Sequence, residues 1–113
     1  VCVRNGRFYG GGFNPTNDSR PDDGYMDVLI ASGVNRAKLL GVIMSYAKGK
    51  YRQFPQYITY VRTRHLEVTC RNTEVINIDG EAEHSTKAVF DLIPGGINFI
   101  APRNMRFFHE SEA

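Results

Sequence analysis

Three short clusters in this 113-residue sequence carry residue types able to do chemistry. Asp22-Asp23-Gly24-Tyr25-Met26-Asp27 sets three carboxylates within six residues, on a loop that enters an apolar run. Side-chain and carbonyl oxygens so arranged suit a hard cation, although the spacing and closing glutamate of an EF-hand are missing. Asp-Gly is equally a common turn pair. Asp79-Gly80-Glu81 places two acids around a glycine at the end of an alternating run. There they could present a general base and its electrostatic partner to a cleft, and a hairpin turn explains the same letters. Gly10-Gly11-Gly12 gives positive-φ freedom and close backbone approach, as a phosphate-contacting loop needs or as a bulge at a strand end needs. No Gly-Lys-Ser/Thr follows, which excludes a P-loop.

The remaining reactive types are dispersed. Cys2 and Cys70 lie in separate strand-like runs, with no Cys-x-x-Cys, and His65, His84 and His109 lack zinc-site spacing. Buried, reduced thiols are expected, and neither sequence context suggests a lowered thiol pKa. Lys48-Gly49-Lys50-Tyr51-Arg52, followed by Arg62, Arg64 and Arg71, is the one local excess of cations. It reads as a solvated rim or as a weak attraction to phosphates on a ligand or a lipid surface.

The elements that must position these residues are mostly strands. Val1–Arg4 and Arg7–Tyr9 flank Asn5-Gly6, a two-residue hairpin signal. Met26–Ala31 alternates as a strand with both faces partly apolar. One helix is expected: Asn35 caps it, Leu39, Leu40, Ile43, Met44 and Ala47 recur at helical spacing, and Gly49 stops it. The period then becomes two, predicting strands over Tyr57–Arg62, His65–Cys70 and Thr73–Asp79, with Arg71-Asn72 as a tight connection. Lys87–Leu92 and Ile97–Ile100 follow, separated by a turn at Pro94-Gly95-Gly96. About eight short strands and one helix predict a mainly β fold, an antiparallel β-sandwich with one short α-helix, or an open barrel. Arg103–Ala113 reads as an extra strand or a segment that docks on something outside these residues.

Length and composition bound the rest. The chain fits one domain. With 42% hydrophobic, 23% charged and 12% aromatic residues it is a globular, not a disordered, sequence. No apolar run is long enough to span a bilayer, and no signal peptide is recognisable at Val1–Asn5; a cytoplasmic location is expected. A net charge of +2 is too even to imply nucleic acid. The start at Val1 and the polar end read as part of a longer protein.

Taken together, Tyr9-Gly10-Gly11-Gly12-Phe13, the spacing onward to Asp22-Asp23-Gly24-Tyr25-Met26-Asp27-Val28, and Asp79-Gly80-Glu81 resemble one family. It is the diacylglycerol kinase-like lipid kinases, which include sphingosine kinases and bacterial lipid kinases. The likeness is to their C-terminal domain and covers about residues 1–102, leaving 103–113 as a tail. It implies a two-domain enzyme that uses ATP to phosphorylate a lipid hydroxyl. An N-terminal domain bearing Gly-Gly-Asp-Gly-Thr binds the nucleotide, and this β-sandwich domain completes the lipid cleft. That signature is not in these residues, so the 113 residues alone are expected to be inactive and to hold no nucleotide site. By position, the resemblance makes Glu81 the catalytic proton acceptor, with Asp79 beside it. It puts a structural Mg²⁺ on Asp23 with the carbonyls of Arg20 and Tyr25, bracing the loop away from the phosphates. Asn17 stands where the family often has proline. The implied partners are a lipid such as diacylglycerol, the N-terminal kinase domain and, peripherally, a membrane. The competing reading is a stand-alone, non-catalytic β-sandwich binding module with a Ca²⁺ site at Asp22, Asp23 and Asp27.

Overall fold

The computed structural model describes residues 1–6, 19–48 and 50–103. Strands β1 (Cys2–Arg4), β2 (Met26–Ala31) and β3 (Ile58–Thr63) form an antiparallel sheet in the order β1-β2-β3. Strands β4 (His65–Ile78) and β5 (Glu81–Asp91) form a second, two-stranded antiparallel sheet. Helix α1 (Arg36–Ala47) and a single 3₁₀ turn (Tyr51–Gln53) connect β2 to β3. The expected class is thus observed: a mainly β, sandwich-like domain with antiparallel sheets and one α-helix. Among the described residues no helix is long and apolar enough to cross a membrane.

The central strand β2 explains why the core sits where it does. Alternation sends Met26 and Val28 to one face and Asp27 and Leu29 to the other, and all four are buried. Leu29 packs with Val42 of α1 and Ile58 of β3, and Tyr46, Phe54 and Tyr60 close around them. Helix α1 starts where Asn35, in extended conformation, accepts the Lys38 N–H through its side chain at 2.9 Å. This satisfies one of the N–H groups a helix leaves open. The helix ends at Ala47 with Lys48 as its C-cap.

Several sequence expectations are corrected. Arg71-Asn72 makes no hairpin: β4 runs unbroken for 14 residues, and the register slips between Thr69 and Glu74 as a bulge. An alternating pattern interrupted by two polar residues fits a bulge as well as a turn, and β5 is long enough to pair with both halves. Ile97–Ile100 is not a strand, and Ile97, Phe99 and Ile100 are exposed. Strand pairing needs a neighbour's free edge, and none of the described strands pairs with this segment. The turn before it is as expected, with Gly95 at φ 65° and Gly96 N–H bonded to the Ile93 carbonyl at 3.2 Å. Five strands occur among the described residues, β4 standing where two were expected. Cys2 and Cys70 are free thiols, half-buried where burial was expected. Arg7–Tyr9, Gly10–Gly12, Asn17, Gly49, His109 and the tail from residue 104 lie outside the described residues.

Candidate functional site

The two acidic clusters end up on different sheets. Asp79 and Gly80 are the two-residue loop between β4 and β5, with Ile78 paired to Glu81 across it. Both loop residues have positive φ, 50° and 96°, as a type I′ hairpin turn requires. Aspartate tolerates that conformation and glycine adopts it freely, so Asp-Gly is the sequence reason for this turn. The Asn77 side-chain Oδ1 accepts the Gly80 N–H at 2.8 Å and ties the tip together. Asp79 and Glu81 are exposed, and neither side chain has a partner among the described residues.

The hairpin tip borders a groove of about 1110 Å³. Its walls include Val3 of β1 and Val68, Ile76 and Phe90 of the hairpin, and Asp79 and Gly80 line it too. Arg4, Glu74, Asn77, Ser85 and Lys87 line it as well, so apolar and polar side chains alternate along a groove of mixed character. Cys2 and Cys70 also line the groove.

The other cluster is an electrostatic latch built on the β2–β3 register. Asp27 lies directly across from Arg62, and opposite charges on facing residues of an antiparallel pair attract. The Arg62 Nε is 3.5 Å from Asp27 Oδ1, and its Nη2 donates to Asp23 Oδ2. Tyr60, two residues before Arg62 on the same face, donates its hydroxyl to Asp27 Oδ1. Asp27 is 1% exposed, and its Oδ2 has no partner among the described residues. The Arg62 and Arg64 guanidinia both lie over the Tyr25 ring, 5.3 and 4.8 Å from its centroid. Arg64 also donates to the Gly24 carbonyl at 3.1 Å. The sequence offers Arg62 and Arg64 only as members of a cation excess and does not mark Tyr60; the strand register brings Arg62 and Tyr60 to Asp27.

This latch bears on the cation expected at Asp23. Its Oδ1 accepts the Tyr25 N–H at 3.0 Å and its Oδ2 is held by Arg62. Asp22 is paired with Arg20 at 3.1 Å. One carboxylate with the carbonyls of Arg20 and Tyr25 is the right kind of donor set for a hard cation. The cation would take the place Arg62 holds on Asp23. Among the described residues no three His, Cys, Asp or Glu side chains gather as a metal cluster. Arg20 pairs with Asp22, and Arg62 serves both Asp23 and Asp27, so two arginines face the three carboxylates of the calcium-module reading.

The fold is thus a two-sheet β domain with an open groove lined in part by the hairpin tip at Asp79 and Gly80. A family model described as the YegS C-terminal NAD kinase beta sandwich-like domain matches residues 1–101. The chain belongs to this family. It is 27% identical over 100 residues to a diacylglycerol kinase of Mycobacterium tuberculosis H37Rv, covering 88% of this chain and 32% of that protein. A Staphylococcus aureus protein bearing the name of a lipid kinase is 24% identical over 105 residues, 93% of this chain and 34% of that one. A diacylglycerol kinase of Staphylococcus epidermidis RP62A is 24% identical over 88 residues, 78% of this chain and 28% of its own length. The chain spans about a third of the length of the curated relatives it matches.

Proposed function

We propose that this domain is the lipid-cleft lobe of an ATP-dependent kinase that phosphorylates a lipid hydroxyl. The observation that carries the reading is the Asp79-Gly80 turn: Asp79 and Gly80 line the groove, and Glu81 follows directly in the chain, exposed to solvent. The groove would take the acyl part of a lipid such as diacylglycerol, leaving its hydroxyl near the hairpin tip. Phosphoryl transfer asks mainly for positioning and charge stabilisation, with one group to receive the proton of the attacking hydroxyl. Glu81 would receive that proton, and Asp79 would orient the hydroxyl beside it. An exposed, unpartnered carboxylate is free to do this once a second lobe brings the nucleotide across the seam.

ATP and its accompanying Mg²⁺ would be held by the N-terminal lobe that the family's architecture implies. A second Mg²⁺, on Asp23 and the carbonyls of Arg20 and Tyr25, would brace residues 20–25 and supply no chemistry. The test is ATP-dependent phosphorylation by the complete protein against diacylglycerol, a sphingoid base and phosphatidylglycerol. Transfer to one of these hydroxyls is expected; ATP turnover with no lipid product would overturn the reading.

A further inference from the structure

Helix α1 has two apolar faces, and only one is used inside the fold. Val42 is buried against Leu29 and Ile58, with Tyr46 packed beside them. Leu39, Leu40, Ile43 and Met44 are exposed, Leu40 at 71% and Met44 at 50%. Residues three and four apart are neighbours on a helix, so these four make one ridge. Arg36, Leu40, Met44 and Lys48 follow one i, i+4 row, which puts a cation at each end of it. Lys50 is exposed, and its backbone N–H is bonded to the Ser45 carbonyl at 2.8 Å, keeping a further cation at the helix end.

The charge around this ridge is one-sided. Between Asp27 and Glu67 the chain holds half of its 14 Lys and Arg and none of its 12 Asp and Glu. Arg62 and Arg64 are engaged around Tyr25, and Lys38 meets the Tyr57 hydroxyl at 3.2 Å. Arg36, Lys48 and Lys50 are exposed beside the ridge. A second copy of this chain would set like charges against each other there. An anionic lipid surface complements both parts of the patch.

We propose that this ridge docks on the interface of an anionic bilayer. Leu39, Leu40, Ile43 and Met44 enter the boundary between headgroups and acyl chains, and Arg36, Lys48 and Lys50 lie among the lipid phosphates. Apolar burial and attraction to anionic lipid act together in such interfacial helices, with long basic side chains reaching out to the headgroups. The inference rests on the lipid-kinase reading for its partner, since an enzyme acting on a bilayer lipid must reach the bilayer.

Sedimentation of the complete protein with vesicles tests it, comparing phosphatidylcholine alone with phosphatidylcholine mixed with phosphatidylglycerol. Binding to the mixed vesicles only, weakened by salt, is expected. Lys48→Gln and Lys50→Gln should each weaken it roughly fivefold. Leu40→Gln with Met44→Gln should weaken it about tenfold. In all these variants the thermal midpoint, the oligomeric state and turnover of a water-soluble short-chain diacylglycerol should hold. Equal binding to both vesicle types, or variants that bind like wild type, would overturn the proposal. So would variants that unfold or change oligomeric state, because the ridge would then be packing on protein. Vesicle binding without any lipid phosphorylation would keep this surface and remove the kinase reading; turnover of the soluble lipid without vesicle binding would do the reverse.

Discussion

Arg62 is the residue on which the β2–β3 edge depends. It faces two carboxylates, one of them buried. Removing one partner of a buried charge leaves the other unpaired, which costs more than the pair itself contributes. Arg62→Ala should therefore lower unfolding free energy by about 2 kcal/mol in denaturant titration. Arg62→Lys should recover only part of this, because an ammonium lacks the fork that reaches two acceptors. A gentler effect belongs to His65, which pairs with Asp91 across β4 and β5. The hydrogen bond and charge of Asp91 raise the His65 pKa above 6.5. A raised histidine pKa stabilises the fold fully below the unfolded value of about 6.5 and ceases to as pH rises through the folded value. The thermal midpoint should thus carry a small downward step as pH rises above 6.5, and Asp91→Asn should remove it. Both residues are exposed, so the step is modest.

At the scale of elements, the helix start follows from a local cap. The hairpin turn at Asp79-Gly80 is one of two readings of its sequence, and the following strand begins at Glu81, ahead of the expected Lys87. Asp79-Gly80 needs two positive φ angles, and Gly80 at 96° sits where a side chain is strained. Gly80→Ala should cost about 1 kcal/mol and lower kcat by shifting Glu81, whereas Asp79→Gly should leave the hairpin intact. Differential scanning calorimetry alongside the lipid assay separates these outcomes. Much of the fold was legible from local pattern. Met26–Ala31 alternates apolar side chains, and Asn35 announces the helix by its capping chemistry. What was not legible depends on pairing over long sequence distance. The unbroken β4 looked like two strands because Arg71 and Asn72 are polar, and a bulge has no turn-specific signature. Arg62 looked like one more surface cation until strand register set it across from Asp27. Ile97–Ile100 has the alternation of a strand, but none of the described strands pairs with it.

For the molecule as a whole, the distribution of burial is the main clue to what the domain does. The compact core lies between β2, β3 and α1, while the long β4–β5 hairpin leaves Val75, Ile78 and Val89 exposed. Exposed apolar side chains on that scale mark a surface meant to be covered. Here the hairpin borders the groove and carries the acids at its tip, so the covering lobe and the lipid would approach the same edge. If Mg²⁺ braces the 20–25 loop, adding it should raise the thermal midpoint of the wild type, and Asp23→Ala should abolish that rise. Asp23→Ala should be less stable in chelator as well, since Arg62 and the Tyr25 N–H both lose their acceptor.

The account turns on Glu81 as the group that takes the proton from the lipid hydroxyl. The most direct test is steady-state phosphorylation of diacylglycerol by the complete protein carrying Glu81→Gln, with nucleotide binding followed by calorimetry. The account predicts a fall in kcat of about 10²–10⁴ with ATP affinity unchanged. Turnover close to wild type would contradict it.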